Sequence, residues 1–333
     1  MVKFTKKIQI GLARFFSLIV VLSLTAIWCR WNLTPKMTQV RIAIPRTPSA
    51  ALIMLAEEKG FFTAHGLDAV RIWRDTDKEC LDLLQAQQTD LVQASVTPVA
   101  FAAARGTRLE LVTELYHSEK DAALLLRRLR DSARDKPSLL RIGVAPSSNG
   151  EFMLDLMLAT RLLDLGPVER VMLPAKELAV ALRDGQLDGA MFWEPYLSMV
   201  NSAHPHDFLT IYCPFYSEFS ALLGSPGAFA GRAAIIDKLL AALKDAEDYS
   251  AAAPDETLAI LRHRLRDQGI SIAGVNFDNF HWRLGVSATY LEMLQEQTAW
   301  ATHKLGGAAT RAPSTVFVGR NLRVLFPEAI TYE

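Results

Sequence analysis

The sequence predicts an α/β protein built as two similar lobes, and three observations lead to this prediction. The chain has 333 residues, more than one hydrophobic core usually organises. Apolar, strand-like runs alternate with helical runs, an order typical of parallel sheets covered by helices. This alternation occurs twice along the chain, and a helical C-terminal region follows it. Two lobes that face each other across a cleft are therefore expected.

The first unit contains four predicted strands and the helices between them. The strands are the apolar runs "VRIAIP", "LDAVRIW", "DLVQAS" and "LELVTEL". The helices are "SAALIMLAEEKG", residues 77–88 and "PVAFAAARG". In the first helix we expect Ser49 to be the N-cap, and Gly60 to follow the last turn, where a left-handed residue commonly ends a helix.

The second unit repeats this order. Its predicted strands are "DAALLLRR", "LLRIGVA", "ERVML" and "LDGAMFW", and its helices are residues 150–163 and "KELAVALRDG". The segment "DFLTIYCPFYSEFSALLG" predicts extended chain that returns to the first lobe. Helices over residues 232–249, 255–267 and 277–303 are predicted after it.

These units predict the domain boundaries. Residues 1–37 are expected to be a signal or membrane anchor with a linker. Residues 38–121 are expected to form the first part of lobe I, residues 122–220 to form lobe II, and residues 221–333 to form the return segment and C-terminal helices of lobe I.

The N-terminus predicts export. The segment Phe15–Cys29, "FFSLIVVLSLTAIWC", is uncharged, as in a signal peptide or a membrane anchor. It is preceded by the cations Lys3, Lys6, Lys7 and Arg14. No small-x-small cleavage site ends the run, so an uncleaved anchor is favoured over a cleaved signal. Trp28 disfavours lipidation of Cys29, because a lipidated cysteine usually follows a small residue. Each alternative places the rest of the chain at the periplasmic face of the cytoplasmic membrane.

The charge balance favours a small ligand over a polymer. Lys plus Arg equals Asp plus Glu, at 36 each. No excess of positive charge indicates nucleic acid, so no nucleic-acid partner is expected. A small, neutral or modestly charged partner fits this composition better.

Familiar catalytic and metal-binding motifs are absent from the sequence. It contains no Gly-rich phosphate loop, His-Glu-x-x-His, Cys-x-x-Cys or Gly-x-Ser-x-Gly pattern. His204, His206 and Cys213 could be drawn as a metal site, but a polar surface loop is the preferred interpretation, because no carboxylate completes the set on rigid elements. We therefore expect no enzyme, no cofactor and no metal. Cys80 and Cys213 could pair in an oxidising compartment, although two ordinary buried thiols are favoured.

Four strand-to-helix junctions are candidate ligand contacts, because ligands of open parallel sheets bind beyond the carboxyl ends of the strands. Three of them carry hydroxyls or amides where a helix starts. These residues are Thr47 and Ser49, then Ser95 and Thr97, then Ser147, Ser148 and Asn149. Free N–H groups at helix starts suit an anion, whereas the same residue types are also common helix caps.

The remaining candidates are one cation, three aromatic residues and a carboxylate. Arg46 could pair with an anionic ligand or point to solvent. Phe152, Trp193 and Tyr196 could form a stacking wall, although Phe152 and Trp193 could also be packing residues. If Glu194 faces the pocket, it would repel an anion or bind a cationic or amide-bearing group. If it faces the hinge, it could cap backbone amides there.

Three segments resemble the periplasmic substrate-binding proteins of nitrate, sulfonate, taurine and thiamine-precursor (pyrimidine) transport. They are "LAEEKGFFTAHGLDAVRI" (Leu55–Ile72), "RIGVAPSSNGEFMLDLMLA" (Arg141–Ala159) and "ELAVALRDGQLDGAMFWEPY" (Glu177–Tyr196). Their order and spacing are those of the family, whereas "ARDKPSLL" departs from its polar loop before the second segment. The resemblance implies the type 2 periplasmic-binding fold, in which two doubly wound α/β lobes are joined by a two-segment hinge.

The resemblance also implies where a ligand binds. By position it puts Ser147, Ser148 and Asn149 near the ligand, with Trp193 and Glu194 at the edge of the cleft.

The function implied is solute binding for an ABC importer. A small molecule of the sulfonate, nitrate or heterocyclic thiamine-precursor type would be captured between the lobes and presented to an ABC permease. Closure would be a hinge motion with pivots near Ala122–Leu126 and Phe219–Leu223. The alternative is a membrane-anchored sensor or interaction module of the same fold that is not coupled to transport.

Overall fold

The computed structural model describes residues 37–128, 139–162, 166–227, 233–307, 316–317 and 319–331. The predicted export segment, including Cys29, lies outside the described residues. None of the described helices combines the length and the apolar character needed to cross a membrane. The chain divides into the units Met1–Thr38 and Gln39–Glu333, and both lobes belong to the second unit.

The strands and helices are numbered here along the chain. The strands are β1 (Thr38–Pro45), β2 (Leu67–Arg74), β3 (Leu91–Ser95), β4 (Glu110–Ser118), β5 (Ala122–Arg127), β6 (Leu140–Val144), β7 (Val168–Met172), β8 (Gly189–Trp193), β9 (Phe208–Ile211), β10 (Glu218–Gly224), β11 (His281–Gly285) and β12 (Val316–Phe317). The helices are α1 (Ala51–Glu58), α2 (Phe61–Ala64), α3 (Asp77–Gln85), α4 (Val96–Ala104), α5 (Asn149–Ala159), α6 (Ala175–Arg183), α7 (Tyr196–Ala203), α8 (Ala233–Ala252), α9 (Pro254–Arg266), α10 (Ala288–Lys304) and α11 (Gly319–Leu325).

The larger sheet organises lobe I. Its strand order is β11-β4-β10-β3-β1-β2, with β12 beside β4. β1 and β3 are parallel, whereas β10 runs antiparallel to both β3 and β4. β1 and β3 are continuous apolar runs because helices cover both faces of the sheet. The buried side chains of this lobe form one hydrophobic core.

The smaller sheet organises lobe II, with the strand order β7-β6-β8-β5-β9. β6 is parallel to β7 and β8, whereas β5 is antiparallel to β8 and β9. The wholly parallel pattern expected from the sequence is therefore confined to the βαβ part of this lobe. β5 enters directly from the other lobe without the helical crossover that a parallel neighbour requires. Hydrophobic cores lie on both faces of the sheet.

The chain crosses between the lobes at residues 119–121 and again at residues 212–217. This is the expected two-segment hinge. The crossings precede the predicted pivots by a few residues, because Ala122–Leu126 lies inside β5 and Phe219–Leu223 lies inside β10. The pivot positions are corrected accordingly, whereas the domain boundaries given above stay predictions.

The start of the first helix differs from the prediction. Ser49 is not the N-cap, because it lies inside a short 3-10 turn, Pro48–Ala50, for which Thr47 occupies the N-cap position. The Ser49 hydroxyl lies 2.8 Å from that of Thr47 instead of capping a backbone N–H group. Gly60 ends the helical segment with φ of 73°, as predicted.

The predicted helix over residues 277–303 is interrupted. His281–Gly285 forms β11, which pairs antiparallel with β4. The helix begins only at Ala288, where the Ser287 side chain accepts a hydrogen bond from the N–H group of Tyr290. The pairing partner of β11 is far away in sequence, so the helical spacing around it gave no sign of the strand.

Helix α10 contacts both lobes, and its Met293 and Trp300 pack in the same hydrophobic cluster as Cys213 and Tyr216 of the second crossing. The ring of Trp300 packs edge-on against Phe101 of lobe I and Phe152 of lobe II, with centroids 5.2 and 5.1 Å away. Its indole N–H donates to Asp155 at 3.0 Å, and Lys304 lies 3.2 Å from the same carboxylate. This contact defines the present separation of the lobes.

The two cysteines of the described residues are ordinary thiols. Cys80 is buried in lobe I, Cys213 is buried at the second crossing, and neither forms a disulfide. Burial raises the pKa of both thiols, so neither is activated as a thiolate.

Candidate functional site

A cavity of about 370 Å³ lies between the two lobes. Its lining comes from lobe I, from lobe II and from the first crossing, and it includes Glu218 just after the second crossing. Seven of the predicted site residues line it, namely Thr47, Ser49, Ser95, Ser147, Ser148, Asn149 and Trp193. The carboxyl ends of β1, β3, β6 and β8 are thus brought together, as the rule for open sheets predicts.

The walls of the cavity are mostly apolar. Pro45 and Pro98 line it from lobe I, whereas Pro146 and Pro174 line it from lobe II. Trp193 ends β8 and is half-buried beside them. Such walls suit the faces of a small organic molecule better than a fully hydrated ion.

The floor of the cavity is acidic. Asp77 comes from the first turn of α3, Asp121 from the first crossing, and Glu218 from the start of β10 just after the second crossing. Asp121 and Glu218 are 7% and 2% exposed. Burying an ionised carboxylate costs free energy unless it is paired, so hydrogen-bond donors or a positive charge would stabilise this floor.

Glu218 joins the two lobes from the floor. Its Oε2 atom accepts hydrogen bonds from Asn149 of α5 at 2.6 Å and from the Tyr216 hydroxyl at 2.5 Å. Its Oε1 atom is buried without a hydrogen bond of normal geometry, although the hydroxyl of Ser95 favours the charged form. Burial raises the pKa of Glu218 to about 7. This side chain can therefore accept another hydrogen bond, or release its proton to solvent when a cationic ligand lowers its pKa.

Asp121 shares the same environment. The Tyr116 hydroxyl donates to its Oδ1 atom at 3.0 Å. Burial raises its pKa well above the usual range, and the charges of Glu218 and Glu194 add to that effect. Two neighbouring carboxylates in a poorly solvated place cannot both ionise easily. Burial therefore favours the protonated forms of these carboxyls, and a positive charge beside them would favour the ionised forms.

Asp77 completes the floor from lobe I. It accepts the backbone N–H of Ser95 at 3.0 Å, which ties the start of α3 to the start of α4. Burial raises the pKa of Asp77, and the Ser95 contacts oppose the rise. Lys78 also lines the cavity, but it is exposed and its amino group lies 2.6 Å from Asp82 on its own helix.

Some of the polar groups at the helix starts beside the cavity have hydrogen-bond partners, whereas the N-cap residues Thr47, Ser95 and Ser148 make no side-chain cap hydrogen bond. The side-chain oxygen of Asn149 accepts the N–H of Gly150, and Glu151 accepts the N–H of Ser147. At α3, Thr76 and Glu79 form a reciprocal capping box. An anion at the start of α3 or α5 would compete with these side-chain oxygens, whereas the start of α4 has no side-chain cap.

Arg46 lies outside the cavity lining. Its guanidinium pairs with Asp75, which lines the cavity, and Lys176 of α6 lies 2.5 Å from the other oxygen of Asp75. The Lys176 hydrogen bond, helped by both positive charges, lowers the pKa of Asp75. Because Lys176 belongs to lobe II and Asp75 to lobe I, this ion pair bridges the lobes at the cleft. Arg46 is thus engaged by a carboxylate of its own lobe.

The Glu194 side chain accepts hydrogen bonds from the first turn of α7. It is 5% exposed, and its carboxylate accepts the backbone N–H of Ser198 at 3.1 Å and the Ser198 hydroxyl at 2.7 Å. Its own N–H donates to the carbonyl of Asp121 at the first crossing, 2.8 Å away. Burial raises its pKa to about 7. The side chain does not line the cavity, and of the two roles considered above, capping beside the hinge fits its contacts.

Three other predicted residues lie outside the cavity lining. Phe152 is buried against Trp300 and Tyr216. The Thr97 hydroxyl is buried and donates to Gln297 of α10 at 2.5 Å. Tyr196 packs edge-on against Trp193, with centroids 5.9 Å apart, and so supports the wall from behind.

The acidic residues of the floor were not predicted from the sequence. The junction between β2 and α3, which supplies Asp75 and Asp77, was not among the four considered. Asp121 and Glu218 directly precede the apolar runs "AALLL" and "FSALL" at the crossings. A carboxylate beside a long apolar run is the one signal that could have drawn attention to them.

A family model described as the NMT1-like family matches residues 33–204, more than half of the chain. Two curated relatives, the bicarbonate transport ATP-binding protein CmpC of Synechococcus elongatus and of another Synechococcus strain, are each 28% identical over 168 residues. That match covers 44% of this chain and 25% of each relative. The chain therefore spans only about a quarter of the length of these curated relatives.

Solved structures share the fold at low sequence identity. The periplasmic aliphatic sulphonate binding protein SsuA from Escherichia coli is 14% identical, with a TM-score of 0.68 over 86% of this chain and 99% of that one. SsuA from Xanthomonas axonopodis pv. citri, bound to MOPS, is 16% identical, with a TM-score of 0.66 over 85% and 99%.

The periplasmic nitrate-binding protein NrtA from Synechocystis PCC 6803 is 13% identical, with a TM-score of 0.62 over 87% of this chain and 88% of that one. These likenesses confirm the two-lobed architecture expected from the sequence. On this evidence the chain belongs to the NMT1-like family and has the type 2 periplasmic-binding fold.

Proposed function

We propose that this chain is the exported solute-binding component of an ABC importer, and that it captures a small molecule between its lobes by hinge closure. The observation that carries the proposal is one cavity whose lining comes from both lobes and from Asp121 and Glu218 at or beside the two crossings. A ligand favours the closed form only through contacts that it makes better there, and a cleft lined from both sides provides them.

The ligand class proposed is a nitrogen heterocycle or small organic cation with N–H donors. Of the three types that the sequence suggests, the thiamine-precursor (pyrimidine) type fits better than a sulfonate or nitrate. Asp77, Asp121 and Glu218 would accept N–H donors or balance a positive charge. Trp193 offers a ring face for stacking or for a cation–π contact.

The names of the relatives refer to anions, whereas the floor of this cavity carries carboxylates that would repel an anion. SsuA is named for aliphatic sulphonates, NrtA for nitrate and CmpC for bicarbonate transport. Among the described residues lining this cavity, the one basic side chain is Lys78, which is engaged by Asp82. The shared fold supports the transport role. The acidic lining supports a cationic or N–H-bearing ligand in place of an anion.

The test is calorimetric titration of the purified full-length chain with matched ligands. An aminopyrimidine and a small organic cation form one set, and taurine, an alkanesulfonate, nitrate and bicarbonate form the other. We expect the first set to bind at least about a hundredfold more tightly than the second, which corresponds to ~2.7 kcal/mol. Tighter binding of the anions would contradict the ligand class.

Scattering in solution separates the transport role from the ligand class. A ligand that closes the hinge should reduce the radius of gyration. If no small molecule binds and no compaction occurs, the solute-binding function fails and the sensor or interaction module is left. Crosslinking in membranes then tests the ABC permease as partner, with the N-terminus as the attachment to the cytoplasmic membrane.

A further inference from the structure

A group of potential metal ligands lies outside the cleft. His117 of β4, Glu119 and His281 of β11 each offer one ligand atom, and these atoms lie within 4.8 Å of one another. None of the three residues lines the ligand cavity. We propose that this group, named here the edge site, binds one divalent transition ion of the zinc class.

The sheet itself brings these residues together. His281 and His117 are direct partners in the antiparallel pairing of β11 with β4, so their side chains project from the same face. Glu119 follows His117 by two positions and continues on that face. This arrangement was not predicted, because β11 was expected to be helical.

The local packing holds the first imidazole in place. The rings of His117 and His281 are stacked with centroids 4.4 Å apart, and Phe219 stacks on the other face of His117 at 5.6 Å. His117 is half-buried, whereas His281 and Glu119 are exposed. A tetrahedral ion with bonds of about 2.0–2.2 Å holds its ligands about 3–3.5 Å apart. Modest rotations of the two exposed side chains therefore suffice.

The donor set fits the zinc class. Two imidazole nitrogens and one carboxylate oxygen are ligands that zinc prefers, and three protein ligands leave one position open for water. Zinc binds imidazole in its neutral form. Arg283 opposes a cation, and the carboxylate of Glu119 offsets that charge.

The edge site adjoins the hinge. Glu119 belongs to the first crossing, whereas both histidines belong to the larger sheet. A bound ion would therefore hold the start of this crossing against β11.

The test uses the full-length chain without an affinity tag, after treatment with a chelator. Titration with zinc chloride should show one ion bound per chain. His281→Ala and Glu119→Gln change exposed residues, so both variants should fold. Each should weaken zinc binding at least about tenfold, a loss that even an outer partner of a metal site commonly causes. His303→Ala, which changes an exposed histidine on α10, should leave zinc binding unchanged.

Cobalt gives an independent readout. The Co²⁺ form should show visible absorption without the charge-transfer band of a thiolate ligand, and His117→Ala should abolish the visible bands. A thiolate band, zinc binding that survives both His117→Ala and His281→Ala, or no stoichiometric binding by the unaltered chain would overturn the proposal.

Discussion

At the residue scale, the chemical character of the cleft is set by carboxyl groups whose pKa values are raised by burial. Asp121 and Glu218 lie at the two crossings, where a charge has little water and few donors. One carboxylate oxygen of Glu218 accepts a hydrogen bond from the side chain of Asn149 in lobe II. The same carboxylate can thus respond to a ligand and to the position of the lobes.

This arrangement predicts how stability depends on pH. The pKa of Glu218 is about 7 in the folded chain, above its ordinary value near 4.5. The folded state therefore holds a proton that the unfolded state releases, and the free energy of unfolding falls as pH rises between these values. Glu218→Gln should remove this contribution, so its stability relative to the unaltered chain should rise from pH 5 to pH 8 by about 2–3 kcal/mol.

Urea denaturation without ligand at several pH values measures that difference. Glu292→Gln, at an exposed position of α10, is the matched control and should show no such trend. A constant difference between the Glu218→Gln variant and the unaltered chain across this range would show that Glu218 titrates normally.

At the element scale, the sequence predicted most strands and helices but not their partners. The apolar runs of β1, β3, β6 and β8 are visible because each strand is buried on both faces. β11 was missed because its short run, "HWRLG", is stabilised by pairing with β4 and not by its own pattern. Most of the hydroxyls predicted at helix starts line the cavity, whereas that of Thr97 does not, and their contact with a ligand stays a prediction. The acidic floor was missed because it forms only where two distant crossings meet.

Helix α7 gives a prediction at this scale. Glu194→Ala removes the carboxylate that accepts the N–H of Ser198 in the first turn. The loss of such a partner should lower the free energy of unfolding by about 1–2 kcal/mol. Ligand affinity should change little, because Glu194 does not line the cavity. Glu177→Ala, at an exposed position in the first turn of α6, is the control for stability. A large loss of affinity at unchanged stability would instead place Glu194 in contact with the ligand.

At the scale of the whole molecule, contacts of different chemical character join the two lobes. Lys176 pairs with Asp75 at the cleft, and α10 packs against α5 through Trp300 and Phe152. The first contact is exposed and electrostatic, whereas the second is buried and aromatic. The ion pair is the contact that salt or a single substitution can release.

Lys176→Met should therefore favour a more open form without ligand. Its radius of gyration in solution should exceed that of the unaltered chain at low salt, and the difference should shrink at high salt, where the ion pair is screened. Lys244→Met removes an ion pair with Asp248 inside α8 and is the control. If both variants scatter like the unaltered chain at every salt concentration, the Lys176–Asp75 pair does not influence the lobes.

The most direct test of the central claim measures protons released when a ligand binds. A cationic aminopyrimidine or organic amine should favour the charged forms of Asp121 and Glu218, because both carboxyls have raised pKa values in the empty cleft. Calorimetric titration near pH 7 in two buffers of different ionisation enthalpy counts the protons exchanged. We expect Asp121 and Glu218 to release protons when the cation binds, and we expect the affinity for the cation to rise with pH. Proton uptake, with tighter binding of nitrate or taurine at lower pH, would contradict it.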